Sequence, residues 1–150
     1  MIEAKENPLK MVNSVDDIKK VCSEIVESSS NRPYDPFWDN SIKALLEALT
    51  FYICATSLVP DIKEVFRLLQ YVIAPPCTNE NETIIPKSSV DIMFENLEKR
   101  RGGISFGNAS KYEEEAIKAY KTFKLAPNKT AAGVVISAQV LLTPYIMSGC

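Results

Sequence analysis

In the stretch PYDPFWDNSIKALLEAL, Pro33 to Leu49, an Asp-Pro pair is followed at once by two aromatics and then by a long apolar run. An aspartate before a helix accepts hydrogen bonds from the free N–H groups of the first turn, and a proline at the first helical position has no N–H to orphan. Asp35 and Pro36 therefore mark a helix start. Ile42, Leu45, Leu46, Ala48, Leu49, Tyr52 and Ile53 then surround most of the later turns, the pattern of a helix buried on more than one side. Phe37 and Trp38, the sole tryptophan, fall in the first turn on neighbouring faces. Their expected role is to anchor the preceding loop and the entry angle of this central helix; a platform for a partner is the alternative.

A central helix needs others to cover it, and helical periodicity recurs on both sides. Ser14 to Asp17 reads as a capping box before Val15, Ile18, Val21, Cys22, Ile25 and Val26, and the run from Ser28 to Pro33 ends that helix. Pro60 and Asp61 open a third helix with Ile62, Val65, Phe66, Leu68, Leu69 and Val72 on its stripe, expected to run on to Pro75-Pro76. Residues 77–88 are polar and acidic and read as a loop. Ser88 to Asp91 is a second capping box, leading to Val90, Met93, Phe94 and Leu97 and closing on Lys99, Arg100 and Arg101 before Gly102-Gly103. Ser110 to Glu113 is expected to cap a fifth helix through about Leu125, and Asn128 a sixth that stops near Thr143-Pro144. No alternating strand pattern of useful length occurs. The expected fold is all-α: a compact bundle of about six helices, one domain over 1–150 with its core at about 7–144.

Composition narrows the chemistry. With 150 residues, 46% of them hydrophobic, the chain is long enough to bury a core of its own. It has no histidine, so the usual proton shuttle and commonest metal ligand are missing. Cys22, Cys54, Cys77 and Cys150 are widely spaced, without a CxxC pair; Cys22 and Cys54 fall on apolar helix faces and read as reduced, buried thiols, with two disulfides as the alternative. Asn128-Lys129-Thr130 resembles the end of a phosphate loop, but Phe123 and Asn128 stand where its glycines belong. No Gly-x-Ser-x-Gly elbow occurs, and Glu113, Glu114 and Glu115 spread around a helix where they favour its positive end. The expectation is a chain with no catalytic set, no cofactor and no metal. The N-terminus reads as no signal peptide, and the Asn-x-Ser/Thr triplets at Asn81, Asn108 and Asn128 read as loop and cap residues.

A net charge of −2 argues against a broadly basic surface and leaves room for local ones. Lys111, Lys118 and Lys121 share roughly one side of the fifth helix, Lys124 and Lys129 follow, and Tyr112, Tyr120 and Phe123 are interleaved. Such a face could meet phosphates by charge and stack on bases. The plainer expectation is a solvated face over a core of Ile117, Tyr120 and Leu125. Lys99, Arg100 and Arg101 form a second candidate patch, whose plainer role is to offset a helix C-terminus.

Three stretches stand in a recognisable order: Asn7-Pro8-Leu9 with Ser14-Val15-Asp16-Asp17-Ile18; Asp35-Pro36-Phe37-Trp38 with Ala44-Leu45-Leu46-Glu47-Ala48-Leu49; and Tyr120-Lys121-Thr122-Phe123-Lys124 running into Lys129-Thr130-Ala131-Ala132 and Ile136-Ser137. With Met93 to Lys99 between them, they resemble the all-α domain of type IV coupling proteins, the TraG/TraD-like ATPases of bacterial conjugation. The variety on conjugative elements of Gram-positive bacteria is most similar. The resemblance covers about Asn7 to Pro144; Asn128 departs from it, standing where the family often has glycine. It implies a non-enzymatic helical insertion in a RecA-like motor, at the cytoplasmic end of a membrane-anchored hexamer. It further implies cargo selection: the relaxase, accessory relaxosome proteins and attached single-stranded DNA as partners, no direct membrane contact, and a monomeric isolated domain. A DNA-binding domain acting through the lysine face is the alternative.

Overall fold

The computed structural model describes residues 6–28, 36–73, 87–100, 108–125 and 128–146. Six helices follow one another, α1 (Val15–Glu27), α2 (Pro36–Thr56), α3 (Ile62–Leu69), α4 (Ser89–Arg100), α5 (Asn108–Phe123) and α6 (Asn128–Ile146), and the described residues contain no strand. The all-α architecture expected from the periodicity is the one observed.

The apolar run after Pro36 does make the central element. Ten residues of α2 are buried, from Ser41 to Ile53, and α1, α3, α5 and α6 all pack on it. α5 lies along it in the opposite direction. The Phe51 ring meets Tyr112 at 6.0 Å, whereas Glu47, a turn earlier in α2, lies in the field of Glu115, nearly a turn later in α5. Ile18, Cys22, Ile25 and Val26 of α1 seal another side, and the Cys22 thiol donates to Thr50 Oγ1 at 3.8 Å, giving that buried hydroxyl a partner.

The caps at Ser14, Asp61 and Ser88 appear at the positions read from the sequence. Ser14 Oγ accepts from Asp17 N at 3.1 Å, and Asp17 Oδ2 reaches back one residue further than a standard box, to Asn13 N at 3.2 Å. Asp61 Oδ1 accepts from Lys63 N at 2.9 Å. At α4 the box is reciprocal: Asp91 N donates to Ser88 Oγ at 2.9 Å and Ser88 N donates to Asp91 Oδ2 at 3.0 Å.

Three boundaries differ from expectation. α3 ends at Leu69, short of Pro75-Pro76, which lie outside the described residues. Its end tightens into turns in which Tyr71 N and Val72 N donate to Leu68 O and Leu69 O, and this carries Val72 into the core. α5 begins at Asn108, so Ser110 is an exposed residue of its first turn and not its cap; Asn108-Ala109 pairs a residue favoured at helix starts with the best helix former. α6 continues through Pro144 to Ile146. A proline there removes one hydrogen bond, to Val140 O, in the final turns, where little helix remains to be lost.

A part of the chain before α1 is also fixed. Asn7 Nδ2 donates to Pro60 O at 2.9 Å, while its Oδ1 accepts from Ile62 N at 2.9 Å and Leu9 N at 3.1 Å. One side chain thus ties the first described segment to the α2–α3 connection, and Leu9 is buried beside it.

Candidate functional site

Two regions collect the residues singled out by sequence: the entrance of α2 and the seam between α4 and α5. At the first, Pro36 opens α2, Phe37 is 59% exposed, and Trp38 is half-buried and packs on the core. Asp35 lies outside the described residues.

Trp38 owes its seat to a residue that the sequence reading passed over. A Cβ built on Gly133 of α6 would stand 2.7 Å from Trp38 Cη2, with Cζ2 and Cζ3 at 3.5 and 3.6 Å. Gly133 is therefore a matter of space: its bare Cα lets the indole lie against α6. A lone glycine inside a helical pattern often has such a packing reason, and that was the available signal. The contact joins the Asp-Pro-Phe-Trp stretch to the helix that begins near Lys129-Thr130-Ala131-Ala132.

At the second region the lysines do not form a bare basic face. Lys118 Nζ lies 3.7 Å from Glu114 and 3.9 Å from Glu115, and Lys19 of α1 approaches Glu115 at 3.6 Å. These glutamates sit beyond the first turn of α5 and serve as partners to lysines more than to a helix terminus. Lys121 and Lys124 turn toward α4. Lys121 Nζ donates to Glu98 Oε1 at 2.7 Å, and Lys124 Nζ lies 3.1 Å from Asp91 Oδ1. The Glu98 pair also brings the last turn of α4, with exposed Lys99 and Arg100, beside the end of α5, so two patches that are separate in sequence meet in space. Lys111 is exposed; Arg101 and the side chains of Asn128 and Lys129 lie outside the described set.

Leu125, expected in the core, is 84% exposed just past the end of α5. Beneath the seam, the Tyr120 ring stacks on Phe94 with centroids 4.2 Å apart and planes 4° from parallel, and tilted contacts extend to Tyr52 and Phe123. The Tyr120 hydroxyl donates to Asp91 Oδ1. Burial pulls the Asp91 carboxyl up, but the Tyr120 hydroxyl, the Ser88 amide and Lys124 outweigh it and hold its pKa below the ordinary value. The same burial and the anionic partner push Tyr120 up, so its proton stays on oxygen.

Where they are described the cysteines are free, Cys22 buried and Cys54 partly buried. Burial pushes Cys22 up to about 12 and Cys54 up to about 11, leaving neither as a thiolate near neutral pH. Cys77 and Cys150 lie outside the described residues, as does most of the 77–88 loop. Among the described residues no group of three His, Cys, Asp or Glu is placed to hold a metal ion, and no helix is long and apolar enough to cross a membrane. Comparison with protein-family models, curated proteins and solved structures gives no match.

Proposed function

We propose that this chain is a cargo-docking helical domain of a type IV coupling protein, acting by binding, with chemistry supplied by other parts of a larger motor. Its cargo is the relaxase with its accessory proteins. The observation that carries the reading is the Trp38–Gly133 contact: it ties one of the three stretches that resemble the family to a residue directly after Ala132 of another, about ninety residues away in sequence. An aromatic wedge between helix starts makes a rigid end to the fold, and rigid helices hold a docking surface with little ordering cost on binding.

The alternative, a DNA-binding domain acting through the lysine face, draws less support. Lys118, Lys121 and Lys124 each have a carboxylate within 4 Å, so their charge is largely matched within the fold. Among the described residues of the two candidate patches, Lys99, Arg100 and Lys111 are the exposed cations left for a phosphate backbone.

Co-purification with the relaxase of the same conjugative element tests the proposal. Retention of that relaxase, with an unrelated relaxase left behind, is the expected result; equal retention of both, or of neither, overturns it. Lys118→Glu with Lys121→Glu separates the alternative, because a phosphate-binding face loses oligonucleotide affinity and salt dependence with those charges.

A further inference from the structure

We infer that α4 is a strap that opens as a unit, latched to α5 by Asp91, and that its opening frees the basic and aromatic side of α5. This goes beyond the docking reading and stands or falls separately from it.

Few buried side chains hold α4 in place. Three of its residues, Val90, Phe94 and Leu97, are buried, against ten in α2, and it packs chiefly on α5. Segments with few buried apolar contacts open below the free energy of global unfolding. The polar attachments are concentrated at one carboxylate. Asp91 accepts from Ser88 N at its own helix start, from the Tyr120 hydroxyl on α5 and from Lys124 just past the end of α5. Its side chain is 15% exposed, so these charge-assisted bonds are worth more than those of a surface pair. Glu98–Lys121 is the second tie across the seam, but both groups are at least half exposed. Val90 N donates to Tyr71 O at 3.2 Å, in the turn that follows α3.

Opening would release Lys121 and Lys124 from Glu98 and Asp91 and bare the Tyr120 face that Phe94 now covers. Cationic amines beside an exposed aromatic ring form a surface that the closed fold does not offer. The closed state is charge-matched and the open state is basic and aromatic, so the strap governs which of the two a partner meets.

Amide hydrogen exchange on the full chain, read by peptides covering α2, α4 and α5, tests this. The expected result is that α4 amides exchange in concert, at least tenfold faster than the interior of α2. Tyr120→Phe, which removes one of the two contacts on the α5 side of the latch and leaves the Lys124 pair and the α4 cap intact, should speed α4 exchange a further several-fold with α2 unchanged; Asp91→Asn, which weakens both, should act in the same direction. Glu95→Gln is the control, because the Lys87–Glu95 pair does not cross to α5. The inference is overturned if α4 and α2 exchange at one rate, if Tyr120→Phe speeds both equally, or if Glu95→Gln matches the latch variants.

Discussion

Replacing Gly133 with alanine sets two effects of similar size against each other, and the geometry decides the sign. In an exposed helix interior, glycine to alanine stabilises by about 1 kcal/mol through backbone entropy. Here the new methyl would stand 2.7 Å from Trp38 Cη2, when carbon atoms prefer about 3.5–4.0 Å. Either the indole or α6 must shift by about 1 Å; overpacking of this kind costs about 1–3 kcal/mol. The atom in the way belongs to a stiff bicyclic ring already packed on the core, so it cannot bend aside as a lysine tip would. The net expectation for Gly133→Ala is a loss of about 1 kcal/mol, which for a chain of this size lowers Tm by about 3 °C. In a Trp38→Phe background the distal ring atoms are gone, and the same substitution should now gain about 1 kcal/mol. Urea denaturation of the four proteins of this cycle measures the coupling, expected near 2 kcal/mol in favour of the pair as found. A Gly133→Ala protein more stable than wild type, with no coupling to position 38, would refute the wedge.

Further expectations follow from other contacts. Trp38→Ala should cost about 3 kcal/mol, toward the low end for a large aromatic because the ring is half-buried; an unchanged melting curve with lost relaxase binding would favour the platform role. Asn7→Ala removes three hydrogen bonds, two of them to Pro60 and Ile62, and should cost about 2–3 kcal/mol in the same denaturation assay. The Asp91 carboxyl is depressed in the fold, so its contribution is present above the ordinary aspartate pKa of about 3.9 and is lost as pH falls through the folded value. Acid titration should therefore show a smaller stability loss below pH 4 in Asp91→Asn than in wild type. Cys22 is raised, so its contribution is present below its ordinary pKa and is lost as pH rises from 9.0 toward about 12; Cys22→Ala should flatten that alkaline limb of the stability curve.

The fold was legible because its decisive signals are local. Asp61 and Ser88 announce helix starts through hydrogen bonds spanning two or three residues, and the apolar crowding between Ile42 and Ile53 can only describe a helix covered on several sides. Boundaries were legible where a cap stands directly before the helix, as at Ser14 and Asp61; Ser110 misleads because α5 already begins at Asn108. Pro144 misled because the cost of a proline depends on how many turns follow it.

The candidate site was less readable, since its defining contacts are long-range. Nothing near Gly133 says that its missing Cβ accommodates a ring from α2. Likewise the lysine spacing on α5 is real, but the carboxylates that meet Lys121 and Lys124 come from α4, more than twenty residues earlier. The charges are spaced along one helix, while the electrostatics belong to two.

The central claim is that this helical domain docks a protein cargo. Side-by-side titration of the chain with the relaxase that the proposal names as cargo and with a single-stranded oligonucleotide, each at low and at physiological salt, tests it most directly. The expected result is saturable relaxase binding that persists at physiological salt and an oligonucleotide signal that is weak and falls away as salt is added. Strong oligonucleotide binding with no detectable affinity for the relaxase would contradict it.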